Sequence, residues 1–69
     1  MRSAVRSTSA VYRIGSRGTV VKAIQRRVGV RSDGYFGRST SGAVKSWQRT
    51  HQLAPTGVVT LAVRRAMRV

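Results

Sequence analysis

The segment Asp33-Gly34-Tyr35-Phe36-Gly37-Arg38-Ser39-Thr40-Ser41-Gly42-Ala43-Val44-Lys45-Ser46-Trp47-Gln48 changes character once along its length, from turn to helix. Asp33-Gly34 is a turn signal, because Asp bonds the backbone two residues on and Gly takes positive φ without steric cost. Gly37 adds a second flexible point close to the helix start. From there Thr40, Ala43, Val44, Trp47 and His51 fall at i, i+3, i+4, i+7 and i+11, which is one helical face. Arg38, Ser41, Lys45 and Arg49 fall elsewhere on the wheel. A tight turn therefore feeds an amphipathic helix and displays Tyr35 and Arg38 at its mouth.

The pattern recurs. Thr56-Gly57-Val58-Val59-Thr60 followed by Ala66-Met67 aligns with Asp33 to Gly37 followed by Ala43-Val44, at an offset of 56 − 33 = 23 residues. Each copy has a turn, two large residues, a cap-like residue, and a helix with its apolar pair on the second turn. Thr60 stands where the first copy has Gly37, and Thr is an acceptable N-cap. Two such units are too few for a solenoid.

With 69 residues the chain makes one small domain, whose core is marginal without a staple. There is no Cys and a single His, His51, so neither a disulfide nor a thiolate or His-pair zinc site can supply one. Apolar packing must do so, at roughly 1.5–3 kcal/mol per fully buried large side chain. The formal net charge is +13, from 14 Lys and Arg against the one acidic residue, Asp33, with Arg outnumbering Lys 12 to 2. Such a balance attracts polyanions: nucleic acid, anionic membrane or anionic wall polymer. No apolar run reaches the length of a membrane span, and the basic N-terminus lacks the apolar region of a secretory signal.

Residues 1–11, rich in Ser, Thr and Arg, read as a disordered tail or linker, and residues 12–69 as the domain. Tyr12 to Gly18 reads as a loop, with Ile14 expected to pin it to the core. Helices are expected over about Thr19–Val28, from the Thr40 region to about His51, and over Leu61–Met67. Val20, Val21, Ile24 and Val28 form the inward stripe of the first. Gly29 is its stop. Gln25 and Gln48, each beside a stripe residue, are expected to bond nearby loop backbone, since buried polar groups need partners. Gly42 inside the second helix signals close backbone packing or a tolerated weakness. The predicted core is Ile24, Phe36, Val44, Trp47 and Leu53, with Trp47 buried among Ile24, Val44 and Leu53. Asp33, Gly34, Gly37 and Gly57 are expected to shape the turns. The fold class is all-α: a compact three-helix unit with an internal turn–helix repeat.

Catalysis finds no constellation here. Two-carboxylate hydrolysis is impossible with one acid. Asp33, His51 and several serines exist, but nothing resembles a nucleophile elbow. No catalytic residue, metal ligand set or cofactor motif is identified; the loop before the first helix lacks the Lys-Ser/Thr pair of a phosphate-binding loop. The surface is more informative. Phe36, without a hydroxyl to satisfy, suits the core better than Tyr35. Tyr35 is then a surface aromatic flanked by Arg17 or Arg38, able to stack on a sugar ring or simply to cover the core edge.

Ile14-Gly15-Ser16-Arg17-Gly18, Val21, Ile24-Gln25, Val28, Asp33-Gly34-Tyr35-Phe36-Gly37, Thr40, Ala43-Val44, Trp47-Gln48, Leu53 and Gly57 together resemble the peptidoglycan-binding domain common in bacterial and phage cell-wall hydrolases. The resemblance covers about residues 12–67. It departs in the second copy: Gln52 stands where the family usually has Gly, Thr56 replaces its second Asp, Thr60 its second Gly, and Val63 its usual Thr. It implies a three-helix fold, no catalysis, and a module that targets a wall hydrolase, such as a phage endolysin, to peptidoglycan or an anionic wall polymer. A catalytic hydrolase domain is the implied partner, and the implied target lies in the cell wall, outside the cytoplasm. For the site, the expectation is that the Gly15–Gly18 loop and the Asp33–Gly37 turn lie side by side. Arg17, Tyr35 and Arg38 then rim one shallow groove, with Tyr35 on a sugar or stem peptide and the arginines on its carboxylates. The alternative is a basic helical nucleic-acid-binding protein. Its weakness is that Arg is spread over all three helices and the tail rather than along one recognition helix.

Overall fold

Amphipathic periodicity delivers three helices: α1 (Thr19–Val28), α2 (Arg38–Thr50) and α3 (Leu61–Met67). The computed structural model describes residues 11–69, so the tail assigned to residues 1–11 lies outside them except for the exposed Val11. The helices start in two ways. α1 and α2 begin after Gly18 and Gly37 without a side-chain cap. At α3 the Val63 N–H donates to Thr60 Oγ1 at 3.4 Å, the N-cap that its sequence suggested. Gly29, in the left-handed region, ends α1, and its N–H donates to the Gln25 carbonyl.

The helices close around Val21, Ile24, Phe36, Val44, Val59, Val63 and Met67. Ile24, Phe36 and Val44 are thus in the centre, whereas Trp47 and Leu53 are half-buried. The reason lies one residue on. The buried face of α2 runs through Thr40, Val44 and Gln48, so Trp47 is turned toward the edge of the core and His51 toward solvent. There the two rings stack, 3.8 Å between centroids and 18° apart in plane, and His51 Nδ1 lies 2.9 Å from the Trp47 carbonyl oxygen. Val20 and Val28 are likewise half-buried, because the axis of α1 is Val21, Ile24 and Gln25. Ile14 does not pin its loop; it is 54% exposed, and backbone pairing does that work instead. Gly42 is exposed with open space where a Cβ would stand, so it marks a tolerated weakness in α2 rather than close packing.

Among the described residues there is no extended strand, only two isolated antiparallel bridges, Tyr12 with Val59 and Arg17 with Tyr35. They fasten the N-terminal segment to both turns. Tyr12 and Val59 exchange N–H···O bonds of 3.0 and 2.8 Å, while the Phe36 N–H donates to the Ser16 carbonyl at 2.9 Å. The two residues so anchored, Phe36 and Val59, are both core residues and are related by the 23-residue offset.

Candidate functional site

Asp33 builds the turn on which the site rests. Its Oδ1 accepts from the Tyr35 N–H at 2.9 Å and from Gln25 Nε2 at 2.9 Å. Gln25, buried, also reaches the Tyr35 carbonyl at 2.9 Å and Thr40 Oγ1 at 3.0 Å, and its Oε1 accepts from the Gly34 N–H at 3.0 Å. One amide from α1 thus ties together both ends of the turn and the first turn of α2. Its NH2 has two hydrogens for three acceptors, so they are shared. The Tyr35 N–H foremost, then the Gln25 amide, hold the Asp33 carboxyl below its ordinary value of 3.8, as hydrogen bonds to the charged form do.

Gly34 sits at φ 82° with Lys22 Cε 3.2 Å from where its Cβ would be. Gly37 has a different reason. Its φ is −104°, a backbone conformation open to other residues, so flexibility is not what the position requires. A Cβ there would lie 3.1 Å from Tyr35 Cε2, so the missing side chain makes room for the Tyr35 ring.

The Gly15–Gly18 loop and the Asp33–Gly37 turn lie side by side, joined by Gly15 N–H to the Phe36 carbonyl at 2.9 Å and Gly18 N–H to the Gly34 carbonyl at 3.0 Å. This places the Arg17 guanidinium 5.1 Å from the centroid of the Tyr35 ring, a cation–π contact. Tyr35 is 43% exposed. The residue also lines a shallow concavity of about 300 Å³, together with Val30, Arg31, Asp33, Arg38 and Ser39 among others. Tyr35 and Arg38 both line it; Arg17 does not, and contacts the Tyr35 ring instead. Arg31 was missed in the sequence, although a period of two along the loop would have put Arg31 and Asp33 on one side.

The arrangement offers cations, one anion, an aromatic wall and the start of α2, whose first intrahelical donor is the Ser41 N–H, bonded to the Gly37 carbonyl at 2.9 Å. It can bind a charged ligand. Among the described residues no three potential metal-ligating side chains come together, and no helix is long and apolar enough to cross a membrane.

Residues 17–67 match the family described as "Putative peptidoglycan binding domain". No curated protein matches the chain. Among solved structures, it is similar to a fused Zn-dependent amidase/peptidase and peptidoglycan-binding-domain protein from Clostridium acetobutylicum (32% identity, TM-score 0.82), over 88% of this chain and 30% of that one. It is similar also to a peptidoglycan-binding protein from Clostridioides difficile solved with glutamine hydroxamate (32% identity, TM-score 0.79), over 87% and 41% of the respective chains. The SleB N-terminal domain (23% identity, TM-score 0.81) has the same fold over 87% of this chain and 90% of that one. The chain thus spans less than half the length of the first two.

Proposed function

Since the chain belongs to the peptidoglycan-binding domain family, we propose that it is a cell-wall binding module that carries no catalysis of its own and holds a wall hydrolase, such as a phage endolysin, on its substrate. The observation that carries the reading is the concavity beside α2, where Tyr35 and Arg38 face one space and Arg17 backs the Tyr35 ring. An exposed aromatic face takes an apolar or sugar surface, and Arg forks pair with carboxylates. The hydrolase partner is suggested by the amidase/peptidase to which one similar domain is fused.

The net charge of +13 adds a second, unspecific attraction to any anionic wall. Salt separates the two, because the screening length shrinks to about 3 Å at 1 M. Pull-down on purified sacculi, with duplex DNA as competitor, tests the reading. The expected result is binding that weakens with salt yet persists at about 1 M, and that DNA does not abolish. Loss of all binding at high salt, or full displacement by DNA, would leave only charge and refute the specific site.

A further inference from the structure

The concavity beside α2 holds both signs of charge, although the chain has one acidic side chain against 14 basic ones. Asp33 lines it together with Arg31 and Arg38. Holding the turn does not by itself require a carboxylate. At the equivalent position of the second unit, Thr56 accepts from the Val58 N–H at 3.1 Å and from Gln48 Nε2 at 3.3 Å, which is the same pair of bonds made by a neutral hydroxyl. A turn of this kind can therefore be held without a charge, although the charge strengthens it here. Both bonds that Asp33 accepts from Gln25 and Tyr35 fall on Oδ1, and the residue is exposed, so Oδ2 stands ready for a cation.

A ligand carrying only negative charge would be repelled by Asp33, and an N-acetylated sugar could donate hydrogen bonds to it but would bring no counter-charge. A ligand with an ammonium and a carboxylate on one carbon satisfies both walls at once. The Tyr35 ring and Val30 add apolar surface suited to a short methylene chain. Resting on the wall-binding reading above, we infer that this concavity takes the zwitterionic end of a diamino acid in a peptidoglycan stem peptide. The ammonium meets Asp33, the carboxylate meets Arg38, at the start of α2, and Arg31 in the preceding loop, and the methylenes lie along Tyr35 and Val30. A stem carrying lysine offers the ammonium without the carboxylate, so the site discriminates between the two wall types.

Calorimetric titration of the full chain with two synthetic tripeptides tests this: L-alanyl-γ-D-glutamyl-meso-diaminopimelate and its L-lysine counterpart. The diaminopimelate peptide is expected to bind saturably and the lysine peptide about tenfold or more weakly, the size of one charge-assisted hydrogen bond. Asp33→Asn keeps an Oδ1 acceptor for the turn and removes the charge; it is expected to weaken the diaminopimelate peptide by a similar factor. Arg38→Gln is expected to erase the preference between the peptides, and thermal melts of both variants show whether the fold is kept. Equal affinity for the two peptides overturns the inference. So does binding of sacculi without binding of either peptide, which would leave the wall-binding reading standing with a glycan as ligand. Failure to bind sacculi as well would overturn both.

Discussion

Gln25 and Gln48 occupy the same place in two units offset by 23 residues, and each clasps a turn through a glycine N–H nine residues on, Gly34 at 3.0 Å and Gly57 at 2.9 Å. Around that shared clasp the units diverge. Gln25 donates to a carboxylate, a carbonyl and a hydroxyl, those of Asp33, Tyr35 and Thr40. Gln48 donates to Thr56 Oγ1 at 3.3 Å and to the Val58 carbonyl at 3.1 Å, and the position of Thr40 is filled by the core residue Val63. The first unit displays Tyr35, Arg31 and Arg38 where the second has Val58, Ala54 and Leu61. One unit combines a tight polar turn with chemistry at its rim; the other keeps the mechanical clasp and spends the remaining positions on packing. On the proposed reading, the repeated scaffold holds the binding edge in one copy and its support in the other.

The clasps themselves can be broken in parallel. Gln25→Ala strands the buried Gly34 N–H along with three further partners and should cost about 2–4 kcal/mol. Gln48→Ala, with fewer and longer bonds, should cost about 1–3 kcal/mol. Urea unfolding of both variants measures the difference, and a larger loss at Gln48 would reverse the ranking of the two turns.

The second turn can instead be upgraded. Thr56→Asp supplies a carboxylate to the Val58 N–H and Gln48 Nε2 and lowers the positive charge, so it should stabilise by about 1 kcal/mol at neutral pH. No gain in the melt would mean that the first turn owes little to its carboxylate. A smaller difference lies at the helix ends. Gly29 and Gln52 are equivalent, at φ 84° and 59°. Gln at left-handed φ costs roughly 1–2 kcal/mol, and Gly gives back about 0.5–1 in the unfolded chain. Gln52→Gly should therefore raise stability by somewhat under 1 kcal/mol, whereas Gly29→Gln should lower it.

Titration gives the finest comparison. Because the folded state lowers the Asp33 pKa from 3.8, the stability linked to it is complete above that value and is lost as pH falls through the lowered one. Asp33→Asn should flatten the dependence of the melting temperature on pH across this acid range, since no other acidic side chain exists. A variant as acid-sensitive as the parent would show that Asp33 is not the group responsible.

Most of the scaffold was legible in the sequence because it rests on local signals. Periodicity placed Thr19–Val28 and Leu61–Met67, and the Asp33-Gly34 and Thr56-Gly57 pairs marked both turns. Gln25 and Gln48 could be assigned to loop backbone from burial logic alone. What remained hidden depends on helix rotation and on non-local pairing. A shift of one residue around α2 exchanged Gln48 for Trp47 on the buried axis. Ile14 looked like an anchor because the backbone pairing of Gly15 and Ser16 with Phe36 carries no side-chain signature. Arg17, Tyr35 and Arg38 could be named from their chemistry, but that Arg17 backs the Tyr35 ring while Arg31 joins the concavity depends on how two loops meet.

The central claim, that the rim of the first unit carries recognition while the second unit supports it, meets its most direct test in sacculus binding at one fixed salt concentration. Tyr35→Ala and Arg38→Ala are compared with Val58→Ala, the second-unit equivalent of Tyr35, and with the exposed, charge-matched Arg49→Ala and Arg65→Ala. The account predicts that Tyr35→Ala and Arg38→Ala each weaken binding about tenfold or more, with melts nearly unchanged for these surface positions, and that the other three retain parental affinity whenever they remain folded. Equal losses from Arg38, Arg49 and Arg65 would contradict it and assign the affinity to diffuse charge.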